Sequence, residues 1–366
     1  MRRDGLEVTR RTVALCVLAA SVTVIVSCSE SPTSSGRVEW RVAEVPELSI
    51  GELDGDVSYL FQSVEDADFL PDGGVVVADG GRSVIRTFDS TGSFVSEFGR
   101  AGEGPEEFQH LRNVWTLGDS VVAWDPGSRR LTWLAVPLSP SRAVTLERSD
   151  EASGVGSLDA AVGALTDGTV AIASLGLGSS GEVAADLLSI ETFGADGAYL
   201  GRVLTGTGLT RFRVEGGGSA PIPFSPLPRF TTHGSTIYYA DGSTPTVTAL
   251  SAGSADTIAL ARVEHDVDAA WTRLAERVQS QGPEFFADML PSAPRPDSLP
   301  QVAGLLVDAV GRIWTKGYAP SSDGLWARAG VEYGGEWNVV DAQGTPVATV
   351  RMPRGFRPLR VADDLV

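Results

Sequence analysis

An all-β chain of repeated four-stranded units, a β-propeller, is what this sequence predicts, and three observations predict it. Short apolar runs alternate with turn clusters, as in Asp66-Ala-Asp-Phe-Leu-Pro-Asp-Gly-Gly-Val-Val-Val-Ala-Asp79 followed by Ser83-Val-Ile-Arg-Thr-Phe88, the pattern of consecutive antiparallel strands. The chain holds 42 glycines and 21 prolines in 366 residues, the supply of tight turns that many short strands need. The unit also recurs: Gly73 to Asp119 is 46 residues and Asp119 to Gly168 is 49, the spacing of propeller blades, about 40–50 residues.

Taken in order, the body opens at Val38-Glu-Trp-Arg-Val42 and runs on through Val45, Leu48 and Ile50 as one strand or two. The first unit places strands near 64–69, 74–78, 83–88 and 94–98, turned at Pro71-Asp72-Gly73 and Ser90-Thr91-Gly92. A second unit carries 118–124 and 130–134, a third 166–172 and 188–200, a fourth 233–239 and 246–250, and a fifth 308–314 and 336–348. Arg360 to Val366 reads as the start of a sixth. Between the fourth and fifth units, residues 264–300 form a small helical insertion. There Asp268 is placed to cap a helix over 269–280 with Trp271, Leu274 and Val278 on one face, and Pro283 to start a second carrying Phe285, Phe286, Met289 and Leu290. Two readings stand for it: a lid packed on the rim, or a cap over a binding site.

The N-terminus is a separate matter. Arg2, Arg3, Arg10 and Arg11 precede an apolar run, Val13 to Val26, that is short for a membrane span and suits an export signal. It ends in Ile25-Val26-Ser27-Cys28, which resembles the lipobox of bacterial lipoproteins; that resemblance implies lipidation of Cys28 after cleavage of a 1–28 signal peptide. Residues 29–37 then form a polar tether and 38–366 the propeller, exported and lipid-anchored in the bacterial cell envelope. Thr9-Arg10-Arg11-Thr12 also faintly resembles a twin-arginine signal. Cys16 and Cys28 are the only cysteines, so the body has no disulfide or thiolate metal site, and only His110, His233 and His265 represent histidine. The net charge of −18 opposes binding to a nucleic acid.

Three stretches, Asp72–Asp79, Phe98–Phe108 and Trp124–Trp133, carry a resemblance to the six-bladed propellers of the NHL-repeat type, in particular a bacterial group of secreted and lipid-anchored proteins. It covers about residues 38 to 366. Physically, Gly102 and Gly104 are expected to take positive φ where one blade passes to the next, letting Phe108 plug between sheets. The resemblance implies ring closure in which the strand at 38–50 supplies an outer strand to a sixth blade, leaving that last blade incomplete.

No catalytic motif emerges: there is no Gly-x-Ser-x-Gly elbow, His-Glu-x-x-His, phosphate loop or EF-hand. Asp66, Asp68 and Asp72 raise calcium as one reading, against core-facing and turn positions as the other. The face shared by the inter-blade and middle loops carries the candidate ligand residues Asp79, Arg82, Arg100, Glu103, His110, Arg112, Asp125, Arg129, Arg229 and Tyr318. Arg112 is expected to enter an inner strand and point into the central channel, as a ligand group or as one half of a structural ion pair. The expectation is a binding module for a peptide, glycan or partner protein; a metal-dependent lyase or lactonase at the channel mouth is the alternative, and a spacer without ligand a third.

Overall fold

In a computed structural model, the chain is described over residues 38–147, 158–176, 182–214, 217–281, 284–320, 334–353, 355–362 and 366. The expectations for 1–37 lie outside these residues. After β1 (Val38–Arg41), the first sheet orders β2 (Val64–Phe69), β3 (Val75–Asp79), β4 (Val84–Phe88) and β5 (Phe94–Phe98). The second orders β6 (Asn113–Leu117), β7 (Ser120–Asp125), β8 (Arg130–Ala135) and β9 (Ser139–Thr145). The third has five strands, β10 (Leu158–Ala164), β11 (Val170–Gly176), β12 (Val183–Phe193), β13 (Tyr199–Arg213) and β14 (Ser219–Pro221). The fourth contains β15 (Arg229–His233), β16 (Thr236–Ala240), β17 (Thr246–Ser251) and β18 (Ser254–Ala259), and the fifth β19 (Val302–Val307), β20 (Ile313–Gly317), β21 (Gly335–Val340) and β22 (Pro346–Met352).

Within each sheet consecutive strands are antiparallel, and the first strands line up in turn, β2 beside β6, β6 beside β10, β10 beside β15 and β15 beside β19. That is a β-propeller. Its sheets pack face to face, which explains why β3 (Val-Val-Val-Ala-Asp) and β7 (Ser-Val-Val-Ala-Trp-Asp) are almost continuously buried rather than alternating. Both faces of a middle strand meet another sheet, so both faces are apolar. Outer strands such as β5 have neighbours on fewer sides and are mostly exposed.

Phe108 stacks edge-on to Phe98 and is 1% exposed in the core shared by sheets one and two. Full burial of such a ring contributes about 1.5–3 kcal/mol. Gly99 and Gly102 carry the positive φ (102° and 149°) in this passage. Gly104 does not; its N–H instead donates to Glu107 at 2.8 Å, which corrects the expectation for that glycine.

The aspartates that open the glycine-containing turns work alike. Asp72 accepts from Gly74 N–H, Asp167 from Thr169, Asp196 from Ala198 and Asp341 from Gln343 and Thr345, all within 2.8–3.1 Å. Such Asx turns are why the strand boundaries were legible.

Five sheets, not six, form among the described residues. Of the stretch Arg360 to Val366, the described residues add an isolated bridge at Ala362 rather than a sheet. The N-terminal strand β1 does not serve a sixth blade; it pairs in parallel with β22 as the outermost strand of the fifth sheet, Val38 opposite Ala348. Beyond β1, residues 42–56 contain no strand. Two segments cover the faces that lack a neighbouring sheet. Tyr59 and Phe61 lie on Phe88 of the first sheet (ring centroids 5.7 and 6.0 Å), and Val361 and Phe356 pack with Trp314 and Trp337 of the fifth.

The insertion folds as α1 (Val267–Gln281) and α2 (Glu284–Met289). Asp266, not Asp268, caps α1: its carboxylate accepts from Ala269 N–H at 2.9 Å and its carbonyl from Ala270. Asp268 falls inside the first turn, where it pairs with Arg295. Leu274 and Val278 are buried as the periodicity requires, against Phe212, Ala220 and Phe224 from the end of the third sheet and Tyr318 beyond β20.

Candidate functional site

Buried carboxylates hold the loop face. Asp79 ends β3 fully buried, accepting from Ser63 N–H at 2.9 Å and Gln62 N–H at 3.1 Å, with Arg86 Nη1 3.6 Å away. Arg86 is itself 1% exposed, donates to Glu97 at 2.7 Å and to Leu60 O at 2.9 Å, and lies over the Phe61 ring. Asp125 holds the equivalent place at the end of β7. It accepts from Gln109 N–H (2.8 Å), His110 N–H (3.0 Å), Gly127 N–H (2.9 Å) and Ser128 Oγ (2.9 Å). In both sheets a buried carboxylate at the end of the second strand fixes the segment that leads into the first. Buried polar groups persist only with such partners.

Over this frame stand the arginines. Arg82 is exposed. Arg100, 70% exposed, donates to Glu107 at 2.8 Å. Arg112, 56% exposed, donates to Glu65 at 2.6 Å. Of the two readings of Arg112, the pair with Glu65 of β2 is the structural ion pair, formed by a side chain that stays half exposed. Arg129 reaches Glu147 O at 3.3 Å, and Glu103 lends its carbonyl to Arg130. His110 is joined to Asp125 through its backbone N–H, and its ring lies against Gly127. Arg229 is apart from this group, donating to Ala303 O at 2.7 Å between β15 and β19. Tyr318 is buried under the insertion, edge-on to Phe224 and His265, so it supports the helices instead of facing solvent. Burial in the same place pushes the His265 imidazole below its ordinary value, opposed by a hydrogen bond to Pro300 and the charge of Glu264.

A second arginine, Arg360, pairs with carboxylates of the same inner strand, one of them 294 residues away in sequence. Its Nη2 donates to Asp66 and to Val114 O, both at 3.1 Å, and its Nε lies 3.5 Å from Asp68. Val361 O accepts from Ala309 N–H, so the same segment touches the first, second and fifth sheets. Burial alone would lower the pKa of the guanidinium, but the two carboxylates raise it overall. Asp66 further accepts from Asn113 Nδ2 and Val114 N–H, and Asp68 from Thr116 N–H. These bonds commit Asp66 and Asp68 to the neighbouring inner strand, while Asp72 caps its own turn, so the three do not converge as calcium ligands would. Among the described residues, no three His, Cys, Asp or Glu side chains gather to hold a metal.

No protein-family model matches the chain, and no curated relative matches it. Solved structures are similar at low identity. A Bacteroides fragilis protein assigned as exported has 13% identity over 86% of this chain and 80% of that one, with TM-score 0.47. A member of the DUF4221 family from Bacteroides vulgatus has 9% identity over 82% and 84%, TM-score 0.46. The calcium-binding protein regucalcin from Agrobacterium tumefaciens has 13% over 80% and 75%, TM-score 0.37. The architecture stands on the chain's own sheets and not on these likenesses. Among the described residues no helix is long and apolar enough to cross a membrane.

Proposed function

We propose that this chain is an exported propeller, held at the bacterial cell envelope by a lipid on Cys28, that works as a binding module for a peptide, glycan or partner protein at its loop face. The observation that carries the reading is the division of labour on that face. Asp79 and Asp125 are buried and committed to loop backbone, which leaves Arg82, Arg100 and Arg112 exposed on a fixed frame. Recognition surfaces are built this way, with displayed polar groups on loops that a rigid scaffold positions. The helices packed on the end of the third sheet bound the face on one side.

A six-bladed ancestry of the NHL-repeat type belongs to the same proposal. Its support is that Tyr59 and Phe61 on the first sheet, and Phe356 and Val361 on the fifth, cover the two sheet faces a sixth blade would otherwise meet.

Two measurements test the proposal. In cells fed an alkyne fatty acid, the full chain is expected to take up label and fractionate with membranes, and Cys28→Ala to do neither; equal labelling of both removes the anchor. On arrays of envelope glycans and peptides, the triple variant R82A/R100A/R112A is expected to lose at least about tenfold in affinity, about 1.4 kcal/mol, at an unchanged melting temperature. Binding that survives the triple change places recognition elsewhere.

A further inference from the structure

We propose that two copies of this chain pair edge to edge through β13, the outer strand of the third sheet, in an antiparallel arrangement whose two-fold passes through Thr205. The pairing depends neither on the loop face nor on the lipid. At 15 residues β13 is more than twice as long as the outer strands β5, β9, β18 and β22, which have 5 to 7. Along its outer edge β14 pairs only with Arg211, Phe212 and Arg213, and Ile222 N–H donates to Thr210 O. Among the described residues, the edge before Thr210 has no neighbouring strand.

An open edge is a template for another strand, and chains guard such edges with charge, proline or a covering group. The other outer strands are guarded. Tyr59 Oη accepts from Phe94 N–H of β5 at 2.9 Å, and Pro137 O accepts from Ser96 Oγ. β9 carries Pro140 and Arg142, and β18 carries Asp256. β22 is covered by β1, which is short and bears the exposed Glu39 and Arg41. From Val203 to Leu209, by contrast, β13 reads Val-Leu-Thr-Gly-Thr-Gly-Leu, without charge or proline.

Charge and symmetry name a second copy as the occupant. Two chains of net charge −18 repel one another over most of their surface. The charges flanking this edge are paired within its own hairpin, Arg202 with Glu191 at 3.4 Å and Arg211 with Asp186 at 3.2 Å. Here two copies meet without bringing unpaired negative charge together. Val203, Thr205 and Thr207 are exposed on one side of β13, while Leu204 on the other packs against the core shared with the fourth sheet. A two-fold at Thr205 sets that residue opposite itself and Val203 opposite Thr207, so every exposed pair is β-branched. Leu187, 56% exposed and beside Thr207, extends the strip onto β12 of each copy. The edge is small against the about 1,600 Å² of a standard interface, so the dimer is expected to be weak and concentration-dependent.

The test combines sedimentation and cysteine cross-linking of the full chain in detergent, carrying Cys16→Ala and Cys28→Ala. Opposed Cα atoms of an antiparallel pair lie about 4.5–5.5 Å apart, within the span of a disulfide, about 4.4–6.8 Å. Thr205→Cys is therefore expected to link to itself on mild oxidation. Val203→Cys and Thr207→Cys are expected to link poorly alone and well when mixed. Thr257→Cys, exposed on β18, measures linkage by chance collision. Thr205→Lys sets two like charges opposite each other and is expected to weaken the dimer at least about tenfold, about 1.4 kcal/mol, at an unchanged melting temperature; if it does not fold, Thr207→Lys puts a guarding charge on the same edge. Added salt is expected to strengthen the dimer by screening the net charge. Four results would each overturn the proposal: a monomer at every concentration, Thr205→Cys linking no faster than Thr257→Cys, a dimer indifferent to the lysine, or one that salt dissolves. In the first case an extended segment of another protein is the occupant left for this edge.

Discussion

Replacing Asp125 by alanine is expected to cost about 3–5 kcal/mol and to loosen the whole loop face of the second sheet. The carboxylate is fully buried and takes hydrogen bonds from Gln109, His110, Gly127 and Ser128. Each buried N–H left without a partner costs about 1–3 kcal/mol, and alanine strands several at once. The substitution Asp125→Asn would keep the shape but turn one oxygen into a donor facing other donors, so little recovery is expected from it. Urea denaturation gives the magnitude. Amide hydrogen exchange gives the location: protection should fall at Gln109, His110 and Gly127 well before the middle of β7. Uniform loss of protection across the sheet would show that Asp125 supports the core rather than the loops.

Arg360→Ala is expected to cost about 2–3 kcal/mol. Removing one partner of a buried ion pair typically costs about 3–5 kcal/mol, because the other charge is stranded; the Arg360 side chain is 30% exposed, which lowers the figure. Asp66, with 4% of its side chain exposed, is the group left behind. Since the arginine bonds Asp66 and Val114 while its neighbour Val361 bonds Ala309, the loss should release the contact of the C-terminal segment with sheets one, two and five. Exchange at Ala309 should therefore rise along with the drop in melting temperature. Combining Arg360→Met with Asp66→Asn and Asp68→Asn should restore much of the stability, because no charge is then buried alone. If the triple variant is as unstable as Arg360→Ala, the cluster's value lies in its shape and not in its charges.

Much of the architecture was local enough to read from residues alone. Strands near 64–69, 74–78, 83–88 and 94–98 form within a residue of expectation, because turns built on an aspartate and a glycine, and apolar runs, act over a few positions. The faces of Leu274 and Val278 followed from helical period in the same way. The cap of α1 was misplaced by two residues, since Asp266 and Asp268 are equivalent to any local rule and differ only in which one leaves the helical turn.

The candidate site divided along the same line. Arg100 was legible as a loop residue and Arg112 as the entry to an inner strand, one residue before β6, but their partners Glu107 and Glu65 were not named from the sequence. Arg86 was passed over although an arginine within the apolar run Val84–Phe88 was the available signal for a buried ion pair. Arg360 offered no signal: nothing near it marks Asp66 as its partner across 294 positions. Strand sites, turns and the propeller repeat are encoded by near neighbours along the chain. The number of sheets in the ring, the pairing of β1 with β22 and the residue that faces the buried carboxylates depend on how those repeats close on one another. Closure brings together groups whose separation along the chain carries no chemical trace, and there burial and charge, rather than local pattern, choose the partners.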